Sequence, residues 1–114
     1  MRAQLERFST ITYGWRASIA STRTLSVLAP DCVILERRGV FRGRDGAREL
    51  ARLLSEELPD APYTYANRLI DGRMAFLEWT AETENARVRD GADSFLIEDG
   101  WIVAQTIHYT VETK

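Results

Sequence analysis

An α+β domain, with helices gathered on one face of an antiparallel sheet, follows from three observations on this 114-residue chain. Apolar residues recur at helical spacing in the first half, and aromatic and β-branched runs fill the second half. Two Asp-Gly dipeptides stand between those runs, where they supply the positive φ angles that two-residue hairpins demand. The length accommodates a single domain spanning residues 1–114.

Leu5, Phe8, Ile11, Trp15 and Ile19 repeat every three or four residues, which predicts an amphipathic helix from about Ala3 to Ala20. Ser21 and Thr22 then cap a short second helix through Leu25, Val27 and Leu28, stopped by Pro30. Cys32 to Glu36 reads as a strand. Gly39 and Gly43 punctuate the next stretch, and Asp45 is placed to cap a third helix whose stripe is Ala47, Leu50, Ala51, Leu54 and Leu58, ending near Pro59. Tyr63 to Ile70, Arg73 to Ala81, Arg87 to Ile97 and Trp101 to Val111 are the strands of a four-strand meander, with Asp71-Gly72 and Asp99-Gly100 as hairpin turns.

Composition excludes several functions. With 45% apolar and 28% charged residues the chain has the make-up of a folded domain. Its 15 Lys+Arg against 17 Asp+Glu, a net charge of −2, provide no basic field for a nucleic-acid backbone or a membrane surface. The one cysteine, Cys32, forms no internal disulfide, and no Cys/His cluster has metal-ligand spacing. Neither a cofactor nor a metal is expected. No signal-peptide pattern opens the sequence at Met1 to Ser9, and no apolar run reaches the roughly 20 residues of a spanning helix, so a cytoplasmic location is expected.

Three stretches carry a family resemblance: Leu28-Ala-Pro-Asp-Cys-Val-Ile-Leu-Glu36, Phe41-Arg-Gly-Arg-Asp-Gly46, and Asp90-Gly-Ala-Asp-Ser-Phe-Leu-Ile-Glu-Asp-Gly100 leading into Trp101-Ile102. Through them the chain resembles the NTF2-like superfamily, in its SnoaL-like polyketide cyclase and ketosteroid isomerase branch. The resemblance implies a cone-shaped (cystatin-like) α+β fold with N-terminal helices packed on the sheet, an apolar pocket inside, and often a dimer across the outer sheet face. It does not by itself transmit a reaction.

Counting outward from Asp99-Gly100 sets Ile97 opposite Ile102, Phe95 opposite Ala104 and Asp93 opposite Thr106. Asp93, Phe95, Thr106 and His108 then share one sheet face, with Asp93 and His108 diagonal neighbours roughly 7 to 8 Å apart. Across Asp71-Gly72 the same counting sets Tyr65 opposite Glu78, alongside Tyr63, Asn67, Met74 and Phe76. A two-residue turn at Glu84-Asn85 merges the two sets by bringing Phe76 to Asp93. The opposite face receives Leu77, Trp79, Leu96, Trp101, Val103, Ile107 and Tyr109, too much apolar area for a monomer, which predicts a homodimer there.

Acid–base chemistry in an apolar pocket needs a group whose pKa burial moves toward working pH. Asp93 is the leading candidate, similar in position to the pocket acid of the isomerases, a carboxyl kept neutral to donate a hydrogen bond; the competing reading is a structural aspartate tied to a neighbouring strand or an arginine. Glu36 resembles the isomerase base in place, but it is Glu where the family has Asp and is followed by Arg37 and Arg38, so a rim ion pair competes. His108, the sole histidine, is a candidate because the imidazole as a residue type suits proton shuttling at neutral pH, and the alternative is a half-buried sheet residue. Tyr13 falls off the helix stripe, which leaves the resemblance without its oxyanion donor. Cys32 reads as a small buried hydrophobe. The expected function is a cofactor-independent enzyme acting on a hydrophobic carbonyl compound held by Trp15, Tyr65, Phe76, Glu78 and Phe95, with Asp93, His108 and Glu36 as its proton-transfer groups. The alternative is a non-catalytic domain that binds a small apolar molecule or dimerises.

Overall fold

In the computed structural model, which describes residues 28–114, the order is β1 (Leu28–Glu36), β2 (Gly39–Arg42), α1 (Gly43–Glu57), β3 (Tyr63–Asp71), β4 (Met74–Glu82), β5 (Ala86–Glu98), β6 (Trp101–His108) and β7 (Glu112–Thr113). The helix expected over 3–20, the start of the short second helix, Tyr13 and Trp15 lie outside the described residues. The strands form one sheet in the order β2-β1-β6-β5-β4-β3, with β7 paired to β5. β1 runs parallel to β6 and the other pairs are antiparallel, so the expected meander of β3 to β6 is present and is extended by β1 and β2.

Two boundaries differ from those predicted. Leu28 pairs with Ile102 as the first residue of β1 rather than ending a helix. The strand passes through Pro30 because its pairing with β6 is interrupted between Leu28 and Val33, where a residue without an N–H does no harm. The helix α1 begins at Gly43, two residues before Asp45, with Arg42 giving no side-chain cap. Asp45 therefore sits in the first turn, where a carboxylate still meets the positive end of the helix and accepts from Arg48 at 3.0 Å. The apolar stripe of the helix is where its spacing predicts: Ala47, Leu50, Ala51 and Leu54 are buried.

Glu98 pairs with Trp101 around Asp99 (φ 51°) and Gly100 (φ 82°), the expected hairpin. At the other turn Asp71 itself pairs with Met74, so Gly72 and Arg73 form the loop. Within the β3 to β6 meander, three irregularities reset the register. Ala66 is an extra residue in β3 against β4, Arg89 and Asp90 oppose Thr80 across β4 and β5, and Val103 is extra in β6 against β5. Each moves the following side chains to the other face. The core consequently lies on the face that carries Leu77, Trp79, Ile97, Ile102 and Ile107, closed over by Leu50, Leu54 and Leu58.

Candidate functional site

The polar centre of this buried face is Asp93, 1% exposed. It pairs with Leu77 on β4 and Ile107 on β6, so apolar side chains flank it on both sides. Trp79 Nε1 donates to Asp93 Oδ1 at 2.9 Å, and Gln105 Nε2 donates to Oδ2 at 3.2 Å. Both donors stand on neighbouring strands, so pairing of β4, β5 and β6 aims them at the carboxyl. Gly91 makes the first of these bonds possible, since a Cβ there would lie 2.3 Å from Trp79 Cδ2. The indole also packs between Tyr63 (ring centroids 5.4 Å apart, 61°) and Tyr109 (5.7 Å, 44°).

A second cluster adjoins the first through Tyr109. Its hydroxyl donates to Glu57 Oε1 at 2.6 Å and accepts from Arg38 at 3.2 Å, while Arg38 also pairs with Glu57 and with Glu36. Burial, then the hydrogen bond to Glu57, pushes the Tyr109 hydroxyl up to about 12. Against the burial that lowers it, hydrogen bonds to Tyr109 and Glu57 hold the Arg38 guanidinium above its ordinary range.

The predicted site residues separate. Asp93 and Phe95 share the buried face, and Tyr65 joins them: it was expected opposite Glu78, the Gly72-Arg73 loop would by itself set it opposite Thr80, and the Ala66 bulge pairs it with Trp79. His108 does not share it: the extra Val103 sets Asp93 opposite Ile107 and His108 opposite Ala92, on the outer face. There its side chain is 71% exposed, and Nε2 lies 3.6 Å from Asp90. Phe76 and Glu78 are likewise on the outer face, paired with Ser94 and Ala92, so Phe76 does not meet Asp93; the Glu84-Asn85 turn has two residues as expected, and the irregularity at Thr80 undoes the merger. Glu36 has a side chain only 1% exposed, and both its oxygens are taken by Arg38, through its backbone N–H (2.6 Å) and its guanidinium (3.1 Å). That is the ion-pair reading. Leu77, Trp79, Ile107 and Tyr109, expected to form a dimer face, are core residues. Leu96 and the 39%-exposed Trp101 remain accessible, with Arg44 over the Trp101 ring at 5.9 Å.

Gln105, absent from the predicted set, is the site residue that sequence counting missed, because an unbroken register put Ala104 opposite Phe95. Gly91, a glycine inside a strand, was the available signal of a bulge or a close approach. Cys32 is fully buried, and burial pushes its thiol up, which leaves it a hydrophobe. Among the described residues no group of three His, Cys, Asp or Glu converges to hold a metal ion.

Residues 14–105 match the SnoaL-like domain. The chain belongs to the SnoaL-like family. No curated protein matches it. Solved structures similar to this SnoaL-like domain include a protein from Kribbella flavida DSM 17836 (20% identity, 96% of this chain and 88% of that one, TM-score 0.79). An NTF2-like protein of unknown function from Mesorhizobium loti is similar at 16% identity over 96% and 92% of the two chains, TM-score 0.78. A Catenulispora acidiphila protein with a ketosteroid isomerase-like fold, in complex with trimethylamine, is similar at 15% identity over 88% and 85%, TM-score 0.69. These likenesses show an NTF2-like α+β fold. No helix among the described residues is long and apolar enough to cross a membrane.

Proposed function

We propose that this SnoaL-like domain binds a small, largely apolar molecule against the inner face of its sheet, with Asp93 as the polar anchor. The observation that carries this reading is the Asp93 carboxyl itself, buried among Leu77, Phe95 and Ile107 and accepting from Trp79 and Gln105. A carboxyl in such surroundings costs several kcal/mol unless its partners compensate, roughly as buried ions do in general, and a leucine would serve the core better. The bonds from Trp79 and Gln105 both use the carboxyl as an acceptor, and a site of acceptors suits a ligand that donates. The neighbouring protein that holds trimethylamine supports a small-molecule role for the fold.

Binding is favoured over proton transfer because His108 lies on the other face and Glu36 is engaged by Arg38. Proton abstraction by Asp93 alone, next to a carbonyl, is the second reading, favoured by the apolar surroundings of that carboxyl. A titration with 1-tetralone, followed on the Trp79 indole N–H resonance and on α-deuteration of the ketone in D2O, decides between them. Binding without deuteration above the buffer rate is expected. Deuteration that vanishes in Asp93→Asn establishes catalysis instead. The site reading fails if 1-tetralone, 1-tetralol and tetralin all leave the resonance unmoved.

The accessible apolar residues of the outer face, Leu69, Met74, Phe76 and Leu96, form a patch that we propose is covered by a second copy of the chain. This replaces the Leu77, Trp79 and Tyr109 part of the predicted dimer face.

A further inference from the structure

We infer that the ligand of the Asp93 site carries a hydrogen-bond donor, a hydroxyl or an N–H, and that Gln105 Oε1 is the atom that accepts it. The inference rests on the binding reading above and names the ligand class that it lacks. Gln105 is 3% exposed, and its neighbours across the strands are Ile34 on β1 and Phe95 on β5, neither of which has a side-chain donor. Its amide is oriented by Asp93: Nε2 donates to Oδ2 at 3.2 Å, which turns Oε1 away from the carboxyl. Oε1 is buried and has no hydrogen-bond partner among the described residues.

Native proteins seldom leave such an atom unsatisfied, because it loses its hydration with nothing in return, and an orphan of this kind calls for a specific cause. Methionine or leucine would fill the same space without the penalty. Retention of an amide is explained when its oxygen reads a ligand. The polarity of the site then follows. The Asp93 carboxylate accepts and Gln105 Oε1 adds another acceptor beside it, so an alcohol, phenol or amine is matched where a ketone or ester is not. Gln105 is thus a specificity-determining residue, and the preferred ligand differs from the carbonyl compound that the family resemblance suggests.

Three ring-matched probes test this on the whole chain: 1-tetralol, 1-tetralone and tetralin, titrated against the Trp79 indole N–H resonance. The wild type is expected to bind 1-tetralol about ten-fold more tightly than 1-tetralone, the factor that one ordinary hydrogen bond is worth. In Gln105→Met that preference should fall to within about two-fold, with tetralin affinity little changed. A purely structural role would alter stability and leave the alcohol-to-ketone ratio where it was, which overturns the inference. Equal binding of alcohol and ketone by the wild type overturns it alone and needs no variant, so a Gln105→Met chain that fails to fold does not protect it. Absence of binding by all three probes overturns the site reading and the inference together.

Discussion

Trp79 lies flat against Gly91, so close that a methyl group at position 91 would sit 2.3 Å from Cδ2 and 2.4 Å from Cε2 of the indole. The indole cannot yield sideways without leaving Asp93 or its two tyrosine neighbours. Gly91→Ala is therefore expected to destabilise the fold by about 1–3 kcal/mol, the usual cost of overpacking. Urea unfolding measures it, and the Trp79 indole N–H resonance should shift as the bond to Asp93 is strained. An alanine variant as stable as the wild type would mean that the indole has room to move.

The same carboxyl should tolerate amidation better than truncation. In Asp93→Asn the new Oδ1 still accepts from Trp79 Nε1, and Gln105 can turn its amide so that Oε1 takes the asparagine N–H. Its unfolding free energy should stay within about 1 kcal/mol of the wild type. Asp93→Ala leaves two buried donors without acceptors and a cavity, and should cost about 2–5 kcal/mol. Comparing the two urea midpoints checks the ordering; an asparagine variant as damaged as the alanine one would contradict it.

The type and order of α1 and of β3 to β6 were legible in the sequence because period and turn chemistry are local. The Leu50–Leu54 stripe of α1 and the Asp99-Gly100 turn each declare themselves within a few residues. The site was not legible in the same way, because the face that a side chain occupies depends on every residue between it and the turn. Val103 alone moves His108 away from Asp93 and brings Gln105 toward it, and Ala66 alone transfers Tyr65 to the buried face. Nothing about a valine or an alanine in a strand announces an extra residue. Asp93 stands out in the sequence as an acidic residue on an apolar face, yet its tie to Trp79 requires knowing that Gly91 lies under the indole.

Tyr109 gives the fold an alkaline limit. Its hydroxyl is raised from 10.0 to about 12, burial first and the Glu57 hydrogen bond second. A group whose pKa is higher folded than unfolded lends stability that is complete below the unfolded value and is lost as pH rises through the folded one. The loss should run from about pH 10 to about pH 12 and amount to at most about 3 kcal/mol. Tyr109→Phe removes that dependence: its unfolding free energy should fall less steeply than that of the wild type over the same window, although it is lower at neutral pH for want of the Glu57 bond. Parallel slopes for the two chains would show that another group sets the alkaline limit.

Met74 and Leu69, 67% and 57% exposed, stand on the outer face at either end of a short apolar patch. Met74 pairs with Leu96 and Leu69 pairs with Phe76, so the four side chains share one continuous surface across three strands. Burial of apolar area drives association at roughly 25 cal/mol per Å2, and a charge placed within such a patch must be desolvated without a partner when two copies meet. Met74→Glu should therefore shift the chain from dimer to monomer in sedimentation velocity at micromolar concentration. Its thermal midpoint measured on dilute samples should change little, because Met74 makes no part of the core. A wild type that sediments as a monomer at those concentrations leaves the patch without a second copy to cover it.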